Sequence, residues 1–320
     1  MKLRVVSAIA LVSMIGWACN KNDAASSDGG TAADASASDA SVTRDGGVED
    51  ADASALDGAT DDADGGLRWT RYEFPETSFP NGWLVASQGN SPNNWASSTL
   101  GGVSTLSLFT NDPGGGGACA DNSTCSASQC LNSTCRQRVK QKSPRLDLGF
   151  GDYQWRVFVP AFSPSDAQAS IGAFVYADDA HELDFECGPG TTAARASATL
   201  KHLNGTAGSA LGSEMLCYLT SQANPFVSTP VAVPTATWHT LELAMAPDAS
   251  SHYTVTWRID GVAVQTQQLT YGPADACEMY VPARKCTWQA FVGVENLAFI
   301  GDTYPTARNG ADFDWFQYGE

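Results

Sequence analysis

Six consecutive residues, His181-Glu182-Leu183-Asp184-Phe185-Glu186, set three carboxylic acids at alternate positions with apolar residues between them. Side chains alternate faces along an extended strand, so Glu182, Asp184 and Glu186 share one side while Leu183 and Phe185 point to the other, toward a core. Like charges spaced roughly 7 Å apart repel one another, and a purely structural strand gains nothing from them. Cleavage of a glycosidic bond with retention would use them. One carboxylate attacks the anomeric carbon and one carboxylic acid protonates the leaving oxygen, the two groups standing about 5 to 5.5 Å apart. Positions 182 and 186 are about 13 Å apart along an extended backbone, a gap that side chains leaning inward over a concave sheet can largely close. Asp184 lies between them, where it can hydrogen-bond to the nucleophile and where its charge helps to keep the Glu186 acid protonated. Calcium ligation and a solvated strand face are the competing uses of the same trio.

Such a strand needs a sheet around it. Tyr253, Val255, Trp257 and Ile259 alternate with Thr254, Thr256, Arg258 and Asp260, and Asp260-Gly261 then signals a hairpin before Val262 and Val264. Similar period-two stretches cover Ser104 to Thr110, Tyr153 to Val159, Ile171 to Tyr176, Ala194 to His202, Trp238 to Met245 and Phe313 to Tyr318. No long segment has a helical period. Many short strands separated by turns, in about 250 residues, predict an all-β domain over 67–320: two packed antiparallel sheets forming a sandwich or jelly roll.

The 320-residue chain carries 35 acidic against 18 basic residues, a formal charge of −17. Nucleic acid is excluded as a partner on this ground, because attraction to phosphate needs clustered Lys and Arg. Residues 20–66 hold 12 of the acids and two of the bases in a run of Asp, Ala, Ser and Gly. That segment cannot bury enough apolar surface to offset its ordering entropy, and it reads as a disordered, self-repelling linker. Ahead of it, Lys2 and Arg4 precede an apolar run from Val5 to Ile15 that is too short to span a bilayer and matches a secretory signal.

Cys19 at that junction, followed at once by the linker, resembles the cleavage box of bacterial lipoproteins, which implies that Cys19 becomes a lipidated first residue. Gly16 and Trp17 stand where that box usually has an aliphatic and a small residue, so cleavage without lipidation is the alternative. The expected location is therefore the cell envelope, at the outer membrane or cell surface through a lipid anchor only, or the secreted fraction. Eight further cysteines, Cys119, Cys125, Cys130, Cys135, Cys187, Cys217, Cys277 and Cys286, form an even set that predicts four disulfides in an exported chain. The first four suggest a self-stapled loop and the last two a closed hairpin end, while the pairing stays open. Zinc is disfavoured, since no CxxC occurs and the four histidines fall outside that loop.

Glu182-Leu183-Asp184-Phe185-Glu186 resembles the ExDxE signature of glycoside hydrolase family 16, in the bulge-free branch that contains the lichenases and xyloglucan-active enzymes. The resemblance runs along most of residues 68 to 319. Gly102 to Leu108 is similar to the family's early strand, and Tyr153 to Pro160 to its strand ahead of the catalytic one. Trp238-His239-Thr240 with Ile259-Asp260-Gly261 is similar to its WHT and VDG pair, and Asp314-Trp315-Phe316-Gln317-Tyr318 to its closing DWxxY strand.

The resemblance implies a concanavalin A-like jelly roll and a retaining endo-β-glucan hydrolase, with mixed β-1,3/1,4-glucan or β-1,3-glucan as the polysaccharide partner. It assigns Glu182 as nucleophile, Asp184 as its assistant and Glu186 as general acid and base. It offers Arg156, Phe174 and Tyr176 as sugar-contacting residues and Asp314 as a ligand to a structural calcium, and it requires no organic cofactor. A monomer is expected. Ala180 and His181 stand where lichenases have Trp and Asp, Gln154 where they have a carboxylate, and Ser197 and Thr199 at strand positions where an amide and an aromatic belong. Trp288 is the candidate for a late cleft tryptophan. These departures alter the substrate wall and leave the trio intact. His181 could tune Glu182 or close the turn. The rival readings are a non-catalytic carbohydrate-binding or adhesion lipoprotein on the same fold, and a transglycosylase.

Overall fold

A computed structural model describes residues 67–320 apart from 75–82, 86–93, 111–117, 122–124, 126–128, 132–133, 162–166, 179, 223–224, 278–284, 297–299 and 306–307. The leader, Cys19 and the linker to residue 66 lie outside the described residues. The strands in chain order begin with β1 (Trp69–Glu73), β2 (Leu84–Val85), β3 (Trp95–Leu100), β4 (Val103–Thr110), β5 (Gln129–Leu131) and β6 (Thr134–Arg136). They continue with β7 (Arg138–Lys142), β8 (Gly151–Val159), β9 (Ser170–Asp178), β10 (His181–Gly188), β11 (Lys201–His202) and β12 (Glu214–Ser221). The last are β13 (Val227–Pro234), β14 (Thr237–Pro247), β15 (Tyr253–Ile259), β16 (Val262–Gln268), β17 (Gln289–Glu295) and β18 (Asn309–Gly319).

Two eight-stranded sheets pack face to face as a jelly-roll sandwich. One runs β16-β15-β14-β8-β18-β4-β3 with β1 also on β18, and the other runs β11-β13-β12-β10-β9-β17-β7-β2. The pairing is antiparallel except between β11 and β13. Alternation explains the core: Leu183, Phe185 and Cys187 of β10 are fully buried, against residues such as Trp155, Val157 and Trp257 from the first sheet. The predicted hairpin between β15 and β16 forms, with Asp260 at φ 51° and Gly261 at φ 78°, as a tight turn with two left-handed residues requires. Asp260 accepts hydrogen bonds from the Thr240 amide at 2.9 Å and from His239 at 2.8 Å, which explains why Trp238-His239-Thr240 and the turn occur together.

The indole of Trp257 crosses the core and donates from Nε1 to the Asp184 carbonyl at 3.1 Å, tying the first sheet to the backbone of the carboxylate strand. In Trp257→Phe this buried carbonyl loses its indole donor. The expected cost is about 0.5–1.5 kcal/mol, read as a lower urea midpoint with an unchanged m value.

The stretch from Ala194 to His202 is not the strand its alternation predicts. A helical turn, α1 (Thr192–Arg195), is capped by Thr191, whose hydroxyl accepts from the Ala194 amide at 3.1 Å, and only Lys201–His202 is extended. The Arg195 guanidinium donates to the carbonyls of Pro189, Leu211 and Glu214, which folds the segment back on itself. Ser197 and Thr199 therefore sit beyond a turn, their hydroxyls 3.1 Å apart, and not on a strand. Conversely, β17 shows no alternation because both of its faces are buried.

All eight predicted cysteines are paired. Cys119–Cys130 and Cys125–Cys135 interleave within one loop, and Cys277–Cys286 closes a short one. Cys187–Cys217 joins facing positions on β10 and β12.

Candidate active site

From Glu182 to Cys187 the register of β10 against β9 is unbroken, the irregularity falling just before it between His181 and Glu182. This keeps Glu182, Asp184 and Glu186 on one face, away from the core. Across β9 they stand beside Tyr176, Phe174 and Gly172 in turn, and across β12 Asp184 and Glu186 stand beside Thr220 and Tyr218. Asp184 is only 1% exposed, and Glu182 and Glu186 are half-buried. The trio is thus less open than a solvated strand face.

Burial sets the electrostatics. Desolvation, then the charges of Glu182 and Glu186, push the Asp184 carboxyl well above the usual carboxylate range, so that it keeps its proton and hydrogen-bonds to Glu182. Glu182 is raised by burial, opposed first by the Lys140 ammonium and then by that hydrogen bond. Gln222, just past the end of β12, donates from Nε2 to Glu182 Oε2 at 3.0 Å and to Asp184 Oδ2 at 3.3 Å. Its amide donates to the Glu182 carbonyl at 3.0 Å. Glu186 is pushed up to about 8 by burial, then by the charges of Glu295 and Glu182. The charges that raise Glu186 most are those of Glu295, from a distant strand, and of Glu182.

Four polar residues that the linear pattern does not single out complete the face. Glu295 of β17 is bound by Arg138 Nε and, at 2.8 Å, by Lys140 Nζ, both from β7. Lys140 also lies over the Phe174 ring, 4.7 Å from its centroid. Gln222 is the fourth. A signal existed for two of them: Arg138, Lys140 and Lys142 alternate with Val139 and Gln141, the same period as the acids of β10.

Two of the three proposed sugar contacts reach this face. Phe174 stacks on Phe291 at 4.9 Å, and Tyr176 meets Phe291 edge-on at 5.8 Å. Arg156 does not reach it. It projects from β8 in the other sheet, on the side away from the core, 3.2 Å from Asp314 and over the Trp238 ring. Asp314 is thereby committed to a guanidinium, with Arg71 and Glu73 as its other charged neighbours. This set does not fit calcium, which wants six to eight oxygens and no adjoining cation. Gln154 also lies in that sheet, bound to Glu242 and Gln317. Trp288 is buried in the core between Tyr253 and Tyr271. His181 lies at the β9–β10 turn, its Nδ1 2.7 Å from Asp178 and its ring edge-on to Tyr271, on the strand side opposite Glu182.

No family model matches the chain, and no curated protein matches it. Among solved structures it is similar to an apo Crh5 transglycosylase at 12% identity, over 79% of this chain and 84% of that one, with a TM-score of 0.47. A β-1,3-glucanase from Mycobacterium marinum is similar at 17% identity, over 78% and 97% of the two chains, with a TM-score of 0.44. The catalytic domain of an endo-1,3-β-glucanase (laminarinase) from Thermotoga petrophila RKU-1 is similar at 11% identity, over 79% and 98%, with a TM-score of 0.46. At such identities these likenesses say nothing of substrate.

Proposed function

We propose that the chain is a retaining endo-β-glucan hydrolase of the family 16 kind, acting on β-1,3/1,4- or β-1,3-glucan. The observation that carries this reading is the division of protonation within one strand face: Glu182 receives hydrogen bonds from Asp184 and Gln222, while Glu186 is held protonated up to about pH 8. Glu182 attacks the anomeric carbon and forms a glycosyl ester as the bond to the leaving oxygen breaks, and Glu186 gives that oxygen its proton. Glu186, now a carboxylate, takes a proton from water, whose oxygen displaces Glu182 with a second inversion. Protonated Asp184 donates to the Glu182 carboxylate before attack and again as water displaces it. Carboxyls and water suffice for both displacements, without an organic cofactor. Tyr176, partly exposed, offers the aromatic surface that sugar rings favour, with Phe174 and Phe291 buried against it.

The test is to mix the purified full-length protein with barley β-glucan and with laminarin, follow reducing ends, and read the anomer of the first product by proton NMR. Release of β-configured ends supports the reading. Retention on insoluble glucan without release, identical in Glu182→Gln, replaces it with a carbohydrate-binding lipoprotein, and competition of long acceptors with water replaces hydrolysis with transfer. An exported, lipid-anchored monomer, with Cys19 as the anchor, is the setting proposed for this activity.

A further inference from the structure

Gln222 touches two of the three acids, yet neither displacement gives it a part. Its main chain carries the ladder one step past β12, whose last pair sets Ser221 against Leu183. The Gln222 amide donates to the Glu182 carbonyl at 3.0 Å, so the residue stands opposite Glu182 across the two strands. From there its side chain reaches both acids, with Nε2 3.0 Å from Glu182 Oε2 and 3.3 Å from Asp184 Oδ2. A primary amide nitrogen carries two hydrogens, one for each carboxyl. Thr220, which faces Asp184 directly across β12, is instead paired with the Ser228 hydroxyl at 3.0 Å. Gln222 is itself exposed, so replacing it opens no cavity in the core.

We propose that Gln222 is a positioning residue, a cross-strand clamp that holds the Glu182 and Asp184 carboxyls in one mutual orientation and keeps the negative charge of that pair on Glu182. This inference deepens the glycosidase reading and rests on it. The strand fixes where Glu182 begins, but a glutamate side chain turns about three bonds, and an attacking oxygen must be aimed. One donor shared by both carboxyls restricts that rotation. A hydrogen bond to a charged group favours the charged form, and the shorter of the two contacts goes to Glu182. Methionine at this position would fill similar space without a donor, and glutamate would set a further like charge against the pair. Because the amide acts on the acids, its loss falls on kcat and spares KM. The other charged or titratable groups around Glu182 are Glu186 within β10, Tyr176 from β9, Tyr218 from β12, Glu295 from β17, and Arg138 and Lys140 from β7.

The experiment titrates Glu182 by carbon NMR in full-length protein labelled at the glutamate carboxyl, with Glu182→Gln assigning the signal, and measures kcat and KM on barley β-glucan against pH. Gln222→Met is expected to move the Glu182 titration, and with it the acidic limb of kcat/KM, upward by about half to one pH unit. It lowers kcat at the optimum by about tenfold and leaves KM within about twofold of wild type. Gln222→Glu moves the titration further upward, because a like charge takes the place of the donor. A Gln222→Met titration that overlays wild type, or equal displacement in Gln222→Met and Gln222→Glu, overturns the proposal. A loss confined to KM overturns it as well and makes Gln222 a sugar contact. The NMR titration reads Glu182 whether or not glucan is cleaved, so an inactive wild type strikes the glycosidase reading alone.

Discussion

Glu182→Gln is expected to lose glucan cleavage by about a thousandfold or more while binding glucan as well as the wild type does. The amide is nearly isosteric with the acid and can still meet Gln222, but it has no charge with which to attack an anomeric carbon. Reducing-end assays on laminarin and barley β-glucan give the loss, and retention on the insoluble polymer gives the binding. Glu182→Ala adds a sharper test. With azide present, a small anion enters the space of the lost carboxylate and the product is the α-glycosyl azide, formed by a single inversion. An α-glycosyl azide from Glu186→Ala, with the β-azide from Glu182→Ala, would exchange the two roles.

Glu186→Gln is expected to cost about a hundredfold to ten-thousandfold on polysaccharide, and much less in the first step on an aryl glycoside whose dinitrophenolate leaves without a proton. A pre-steady-state burst of dinitrophenolate, followed by slow turnover, is the measurement. The pH profile supplies a second arm. Glu186 must be protonated to act as acid, so wild-type kcat/KM falls as pH rises through about 8, and the variant lacks this limb.

The same carboxyl carries a stability cost whose sign follows from linkage. Its native pKa of about 8 lies above that of the unfolded chain, so from about pH 4.5 to about 8 the native state holds a proton that the unfolded state has lost. Wild-type stability therefore falls across that window and levels off above it. Glu186→Gln is expected to match wild type near pH 4 and to exceed it in Tm above pH 8, the exchange of stability for activity that active sites commonly show. An acid that only held the fold together would destabilise the protein on replacement.

Within β10, the carboxylate pattern was legible because alternation of side chains is a property of the extended backbone itself: Glu182, Asp184 and Glu186 had to share a face, and Leu183 and Phe185 had to oppose it. The turn at Asp260-Gly261 was legible for the same local reason, that two successive left-handed residues suit those types. The even cysteine set foretold four bridges but not that Cys187 would find Cys217, which depends on β10 lying beside β12. At Ala194 to His202 the period misled, because capping by Thr191 and three carbonyl bonds to Arg195 outweighed it.

What belongs to the tertiary structure is everything that depends on which strands are neighbours. Arg156 and Asp314 went to the opposite sheet, where they neutralise each other, and Lys140, Glu295 and Gln222 came to the acids from distant parts of the chain. Sheet order is a sum over many long-range pairings and has no local signature, whereas the face a residue takes within its strand is settled by its own two peptide bonds. The chain by itself thus determined that three acids stand together. Only the assembled sheet decided how deeply they are buried and which charges surround them, and these two quantities govern which acid holds a proton at neutral pH.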